Sequence, residues 1–219
     1  MKYDLIIFDL DGTLLNTIED LGNAVNHALE SKGFATHGMR EYKYMVGNGV
    51  RKLVERAIPE AFRQSAIIDD VLGRFITYYE KNIDVRTKPY RGMQRLLAEL
   101  SASGVKLAVA SNKFQSGTET LIAKFFGEIP FVAVFGNKEG QPLKPSPELV
   151  HKICSMAFPE GGVHNVALVG DSDTDMATAR NAGIDAVAVT WGFRSRAELE
   201  SAGAVNFASN VSQLRHFLK

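Results

Sequence analysis

The fold of this 219-residue chain is decided by one stretch, Leu5-Ile6-Ile7-Phe8-Asp9-Leu10-Asp11-Gly12-Thr13. The four apolar residues favour a buried parallel strand, and the acids and glycine that follow predict a loop at its carboxyl end. In an open parallel sheet, ligands bind at this edge. Because Asp9 and Asp11 are two positions apart, an extended backbone directs both carboxylates to one side. Two neighbouring anions are costly without a cation between them, so the stretch indicates a divalent metal.

The composition argues against several classes of function. The chain is 45% hydrophobic and 23% charged, and its 25 basic and 25 acidic residues balance, so bulk charge does not favour a nucleic acid or an anionic membrane as a partner. Cys154 is the single cysteine, which precludes an internal disulfide and favours a reducing compartment. No segment approaches the roughly 20 apolar residues of a membrane span, and the N-terminal apolar run is too short for a signal peptide. We therefore expect a cytoplasmic protein.

Hydrophobic periodicity divides the chain into an α/β domain with a helical insert. Residues 17–82 show only helical spacing, and Thr17 with Asp20 resembles a capping box at their start. Beyond Pro89, strands are predicted over 106–110, 131–135, 166–169 and 186–189, and helices over 92–103, 115–126, 147–156, 174–182 and 211–218. This alternation predicts a Rossmann-like parallel sheet flanked by helices. We expect residues 1–16 and 83–219 to form the α/β core and residues 17–82 the insert, with linkers at 16–17 and 83–91 that allow a hinge.

Polar clusters follow several predicted strands. They are Asp9 with Asp11, Ser111 with Asn112, Lys144, and Asp171 with Asp175. If the strands are parallel, these clusters meet along one edge of the sheet. Four carboxylates and one lysine sum to about −3, and a Mg²⁺ ion reduces this to about −1 while accepting an all-oxygen shell. Such a site suits phosphoryl transfer, in which one aspartate attacks phosphorus and a second acid exchanges protons with the leaving oxygen and with water.

In this order, the four clusters resemble the motifs of the haloacid dehalogenase superfamily of phosphohydrolases, and the resemblance covers essentially the whole chain. It implies that the helical insert is a cap over a core of that superfamily's type. It also implies that Asp9 is the nucleophile and a Mg²⁺ ligand. Asp11 would be the general acid/base, with its backbone carbonyl on the metal.

The same resemblance assigns the remaining motifs. Ser111 and Asn112 would bind the phosphoryl oxygens together with Gly12 and Thr13. Lys144 would steady both the nucleophile and the phosphate. The fourth motif, which runs from Gly170 to Asp175, would supply Asp171 and Asp175 to the metal.

Within the superfamily, the chain most resembles the phosphoglycolate phosphatase-like group, through the run Val46-Gly47-Asn48-Gly49-Val50-Arg51. Gly47, Asn48, Gly49 and Arg51 are candidates to close over a small anionic substrate, although an ordinary inter-helix turn explains the glycines equally well. The chain departs from this group at Asn16, where relatives usually carry an aspartate, and at Arg91, where a second proline is expected.

These observations predict a Mg²⁺-dependent phosphomonoesterase that hydrolyses a small phosphorylated metabolite through an aspartyl-phosphate. Phosphoglycolate is the first candidate substrate. A sugar phosphomutase of the β-phosphoglucomutase type, a pyrophosphatase and a nucleotidase share these residues and stay open as alternatives. A phosphorylation-dependent receiver domain also uses acids and a lysine, but such domains are shorter and lack an inserted bundle. We expect no nucleic-acid or membrane partner, and either a monomer or a homodimer.

Overall fold

Six parallel strands form the central sheet of this computed structural model, which describes residues 2–219. The strands of the chain are β1 (Leu5–Phe8), β2 (Leu15–Asn16), β3 (Lys88–Pro89), β4 (Lys106–Phe114), β5 (Phe131–Asn137), β6 (Val166–Gly170), β7 (Asp185–Val189) and β8 (Phe207–Ala208). The sheet order is β5-β4-β1-β6-β7-β8, and β1 pairs with both β4 and β6 along its whole length. The loop after β1 therefore begins between the ends of two other strands.

Helices cover both faces of this sheet and form the insert. They are α1 (Ile18–Glu30), α2 (Met39–Met45), α3 (Val50–Ala57), α4 (Ser65–Asn82), α5 (Met93–Ala102), α6 (Gln115–Phe126), α7 (Glu148–Ala157), α8 (Asp173–Ala182), α9 (Arg196–Ser201) and α10 (Val211–Leu218), with a 3₁₀ turn at Glu60–Phe62. Alternate residues of β1 enter different apolar clusters: Ile6 and Phe8 join one, and Leu5 and Ile7 join the other. This confirms the predicted parallel sheet with helices on both faces. Among residues 2–219, no helix combines the length and apolarity needed to cross a membrane.

The insert shares an apolar core with one face of the sheet. Phe75 on α4 and Val25 on α1 are fully buried and belong to the same cluster as Phe8. Burial of this continuous apolar surface stabilises the insert against the sheet, at about 25 cal/mol for each Å² removed from water. The boundaries predicted for the insert, residues 17–82, coincide closely with the helical run from α1 to α4, and its behaviour as a separate unit stays a prediction.

Several elements were not predicted from the sequence. The pattern predicted the end of β4 at Ala110, whereas the strand continues to Phe114 through an irregular stretch in which Ala110 pairs with Phe135 and Phe114 with Asn137. The short elements β2, β3, α9 and β8 were also missed, because two to six residues are too few for a periodicity to emerge. The pairing of β2 with β3 is antiparallel and joins the two predicted linkers directly.

The predicted capping box at Thr17 and Asp20 is wrong. Thr17 makes no side-chain cap hydrogen bond, and the buried carboxylate of Asp20 is turned to the second linker instead. It accepts hydrogen bonds from the backbone N–H groups of Arg86 and Thr87 and from the Thr87 hydroxyl, at 2.8–3.0 Å. Asp20 thereby ties the start of α1 to the segment through which the chain leaves the insert.

We expect Asp20→Ala to lower the free energy of unfolding by about 2–4 kcal/mol, because it leaves the buried N–H and hydroxyl of Thr87 and the partly buried N–H of Arg86 without their charged acceptor. Urea denaturation measures this change. The control Asp69→Ala removes an exposed aspartate that pairs with Arg51, and we expect it to cost less than about 1 kcal/mol. Equal losses in the two variants would show that Asp20 is no more than an ordinary surface acid.

Candidate active site

Polar residues that the sequence places after separate strands meet at the carboxyl edge of the sheet. The ammonium group of Lys144 lies 2.6 Å from Oδ1 of Asp9 and 2.6 Å from Oδ1 of Asp175. All three residues are buried. Asp11 and Ser111 line the same cavity as Asp9 and Lys144. The structure therefore brings together residues from all four of the predicted clusters.

Three carboxylates form a group that could hold a metal ion. Asp9, Asp171 and Asp175 each offer an oxygen, and these oxygens lie within 4.8 Å of one another. Two oxygens on opposite sides of a small octahedral cation are about 4.2 Å apart, because each bond is about 2.1 Å long. Carboxylate oxygens are the ligands that hard divalent cations prefer. The size and chemistry of the group are therefore compatible with a hard cation.

Asp171 is held in place by the first motif and by the loop after β7. The hydroxyl of Thr13 donates to its Oδ1 at 3.1 Å, and the backbone N–H of Phe193 donates to its Oδ2 at 2.7 Å. Gly12 has a φ of +94°, and a Cβ there would collide with the Asp171 carboxylate. The N–H of Gly12 is bonded to the carbonyl of Leu15. Gly12 and Thr13 thus support Asp171, and their predicted contact with phosphate stays a prediction.

Asp175 is fixed by the N-terminus of α8. Ser172 is the N-cap of this helix, and its N–H and hydroxyl donate to Oδ2 of Asp175 at 3.1 and 2.6 Å. The N–H of Asp175 donates to the hydroxyl oxygen of Ser172, which completes a capping box. Since Oδ1 is bound to Lys144, both oxygens of Asp175 already have partners. Asp175 accepts three hydrogen bonds, compared with two at Asp171 and one at Asp9, and is therefore the most constrained of the three candidate ligands.

Burial raises the pKa values of the carboxylates in this site. It raises the pKa of Asp9 well above its usual range, with Lys144 opposing the shift and the charges of Asp175 and Asp171 adding to it. Burial, followed by the nearby charge of Asp175, raises the pKa of Asp171 to about 7. For Lys144, burial favours the neutral amine, but Asp175 and Asp9 outweigh it and raise the pKa of the ammonium group. The acids therefore resist ionising together unless further positive charge is present.

The irregular end of β4 supplies the second predicted motif. Ser111 is buried, and its hydroxyl oxygen accepts the N–H of Lys113 at 3.2 Å, so its own proton remains available to a ligand. The amide of Asn112 is fully engaged: it donates to the carbonyls of Gly47 and Lys144 at 3.0 Å and accepts the Lys144 N–H at 2.9 Å. Asn112 thus joins the loop that carries Lys144 to a loop of the insert.

Sequence reasoning missed Lys113. Its buried ammonium group lies 3.3 Å from both carboxylate oxygens of Asp11 and 2.7 Å from the hydroxyl of Tyr79 on α4. Burial lowers the pKa of Lys113, and the charge of Asp11 opposes that shift. A signal was present, because Lys113 is two positions after Ser111 and an extended backbone directs both to one side. The strand was predicted to end before either residue.

A small cavity lies between the insert and these residues. Its volume is about 40 Å³ for the centres of water-sized groups, and Gly47, Val50 and Leu53 of the insert form part of its wall. Gly47 and Gly49 both line it, and their predicted contact with a substrate stays a prediction. The Asn48 side chain instead donates to the hydroxyl of Thr174 at 3.2 Å. This contact fastens the loop to the core.

The structure does not bring Arg51 to the cavity. Its guanidinium group is half exposed and pairs with Asp69 on α4, because the α3 helix turns this position away from the core. Another arginine that was not predicted, Arg194, lines the cavity from the loop after β7 and donates to the carbonyls of Lys43 and Val46 at the end of α2. Nothing in the sequence around Arg194 distinguishes it from a solvated surface arginine.

The profile of the family described as "Haloacid dehalogenase-like hydrolase" matches residues 6–189. The chain belongs to this family. The predicted resemblance is therefore confirmed. The match covers the first motif, β4, the Lys144 loop and the α8 terminus, which are the segments that build the site.

This hydrolase has curated relatives of similar length. It is 33% identical over 198 residues to a phosphoglycolate phosphatase of Mesorhizobium japonicum, with 90% of this chain and 86% of the relative covered. It is 33% identical over 196 residues to another from Agrobacterium fabrum, at 86% and 81% coverage. A solved structure from Lactobacillus delbrueckii subsp. bulgaricus, provisionally assigned as a phosphoglycolate phosphatase, is 33% identical to this chain and superimposes with a TM-score of 0.90. The superposition covers 100% of this chain and 99% of that structure. Family and relatives together indicate a phosphatase, as predicted.

The raised pKa of Asp171 predicts how stability depends on pH in the metal-free hydrolase. Its folded-state pKa of about 7 exceeds the ordinary value of 3.8, so the folded protein binds more protons than the unfolded chain between these values. We therefore expect the free energy of unfolding to fall by about 2 kcal/mol as pH rises from about 5 to 7 in the presence of EDTA.

Urea denaturation across this pH range measures the effect. Asp171→Asn should flatten the dependence, whereas Asp185→Asn, at an exposed aspartate of β7, should retain it. A free energy of unfolding that rises with pH over the same interval would contradict the electrostatic account of the site.

Proposed function

We propose that this hydrolase is a Mg²⁺-dependent phosphomonoesterase that acts on a small phosphorylated metabolite, with phosphoglycolate the first candidate, through an aspartyl-phosphate. The observation that carries the proposal is the contact of Lys144 with Asp9 beside two further buried carboxylates. The family and the phosphatases among its relatives support the same reading.

Asp9 and Asp171 are the residues best placed to hold Mg²⁺, with Asp175 close behind them. The backbone carbonyl of Asp11 is a further proposed ligand. When bound, the ion supplies positive charge that neutralises the carboxylates and the phosphoryl oxygens. Lys144 contributes a fixed positive charge beside Asp9.

Asp9 is the proposed nucleophile. Lys144 binds its Oδ1, and its Oδ2 receives no hydrogen bond from residues 2–219, so one oxygen remains free to form a bond to phosphorus. Asp9 also lines the cavity, which gives a bound phosphoryl group direct access to it. Ser111 and the backbone around it are the proposed donors to the phosphoryl oxygens.

Asp11 is the proposed general acid/base. It lines the same cavity two residues after the nucleophile, and its carboxylate is separate from the Asp9–Lys144 contact. In the first step it would donate a proton to the leaving oxygen, and in the second it would accept one from the water that attacks the aspartyl-phosphate.

The cavity supports a small anionic substrate. Its volume of about 40 Å³, measured for the centres of water-sized groups, favours a small ligand between the core and the insert. Asp173 pairs with Arg194 at 3.7 Å, so five carboxylates and the three cations of Lys113, Lys144 and Arg194 sum to about −2. A bound Mg²⁺ would bring the site close to neutral and so remove the repulsion of a phosphate ester. The substrate named for the relatives, phosphoglycolate, has these properties.

A sugar phosphomutase is less well supported. A sugar phosphate is larger than phosphoglycolate, so the small cavity favours the smaller substrate. Free phosphate as the product supports hydrolysis, and an isomerised sugar phosphate supports the mutase.

We expect phosphate release from 2-phosphoglycolate to require Mg²⁺ and to cease in EDTA. Asp9→Asn should lower kcat by roughly 10³-fold or more, because it removes the nucleophile while preserving the shape of the side chain. Phosphate release and the circular dichroism spectrum of each variant are the measurements.

Asp84→Asn, a matched change at an aspartate that pairs with Lys124 on the surface, should retain full activity. Near-normal turnover by Asp9→Asn would exclude the covalent mechanism, and undiminished turnover in EDTA would exclude the role of the metal.

A further inference from the structure

Lys113 connects the loop after β1 to the helical insert. Its side chain is 1% exposed, and its ammonium group contacts both oxygens of Asp11 at 3.3 Å and the hydroxyl of Tyr79 at 2.7 Å. Asp11 follows β1, Lys113 lies at the end of β4, and Tyr79 lies on α4. One buried cation therefore joins three elements that are distant in the chain.

The two lysines of the site have separate tasks. Lys144 is committed to Asp9 and Asp175, at 2.6 Å from each. In the part of the chain that the structure describes, Lys113 is the one donor to the carboxylate of Asp11. Without it, the Asp11 side chain would keep no hydrogen bond to fix its torsion angles. A misplacement of about 1 Å at a catalytic group can cost on the order of 10²-fold in rate.

Tyr79 is held rigidly at its end of this contact. It is fully buried, its ring stacks on Phe75 with centroids 5.2 Å apart, and Phe114 packs edge-on against it at 6.1 Å. The Tyr79 hydroxyl accepts the hydrogen bond, so one N–H of Lys113 is directed to the insert and the others remain for Asp11. The position of the ammonium group therefore depends on α4 being packed against the core.

We propose that Lys113 is a positioning residue, which holds the carboxylate of Asp11 where it exchanges a proton with the leaving oxygen, and that Tyr79 makes this position depend on the docked insert. The proposal rests on the proposed function, since it takes Asp11 as the acid. It adds a role for a lysine that is distinct from the charge neutralisation by Lys144.

The first chemical step gives a readout specific to this role. Asp9 Oδ2 forms a bond to phosphorus, the bond from phosphorus to the leaving oxygen breaks, and the proton of Asp11 passes to that oxygen. The alkoxide released from 2-phosphoglycolate needs this proton. Acetyl phosphate is of similar size, but its leaving group is acetate, a weak base that departs without one. Displacement of Asp11 should therefore slow the first substrate and spare the second.

The experiment compares Lys113→Met with the wild-type hydrolase in single-turnover reactions with Mg²⁺. Glycolate release from 2-phosphoglycolate should slow by about 10-fold or more, up to the 10²–10⁴ that general acid catalysis contributes in full. Acetate release from acetyl phosphate should change by less than about 3-fold. Lys113→Arg, which keeps the positive charge, should recover part of the loss.

Lys106→Met is the matched control, because Lys106 lies on the same strand but donates to the carbonyl of Ala157, away from the cavity. We expect it to leave both rates unchanged. If Lys113→Met does not fold, Tyr79→Phe carries the test, since it removes only the hydroxyl that orients Lys113. It should slow glycolate release several-fold and spare acetate release.

The role of Lys113 would be overturned if the variant that folds, Lys113→Met or Tyr79→Phe, lost equal activity on both substrates or lost none on either. The proposed phosphatase function would then remain intact. A wild-type hydrolase that releases no product from either substrate would overturn the proposed function and, with it, this inference.

Discussion

The ammonium group of Lys144, placed between the carboxylates of Asp9 and Asp175, is the interaction on which the rest of the site depends. These three buried side chains come from the loop after the first strand, a loop 135 positions later, and the start of α8. Buried carboxylates at this spacing repel one another strongly unless cations lie among them. The parallel sheet brings the loops together, and the lysine makes their proximity tolerable. A bound metal ion would neutralise the remaining negative charge and so allow a phosphate ester to approach.

The site is completed by the insert and is not a property of the sheet alone. Loop residues of the insert wall the cavity, Arg194 reaches from the core to the end of α2, and Lys113 reaches to Tyr79 on α4. The contacts of Arg194 and Lys113 both join the core to the insert, and both residues line the cavity. Docking of the insert, exclusion of water and placement of the Asp11 carboxylate are therefore linked through the same few side chains.

The sequence predicted those parts of the molecule that repeat or that follow a long apolar strand. The parallel sheet, the inserted helices and the cluster around Asp9 could be predicted because hydrophobic periodicity locates strand ends, and strand ends locate the loops. The irregular end of β4 could not be predicted, because nothing in its composition indicates four further strand residues. Lys113 lies in this end of the strand and was therefore missed. Arg51 lies on a helix face that periodicity alone did not distinguish from the face beside the cavity. Asp20 looked like a helix cap because its true partners, at 86 and 87, are remote in the chain.

The most direct measurement is the location of the cation itself. Crystals grown with Mn²⁺ in place of Mg²⁺ would give anomalous scattering from any bound ion. We predict one peak within coordination distance, about 2.1 Å, of carboxylate oxygens of both Asp9 and Asp171. Saturating Mn²⁺ with no peak between these two residues would contradict the account, because the lysines alone would then balance the buried acids.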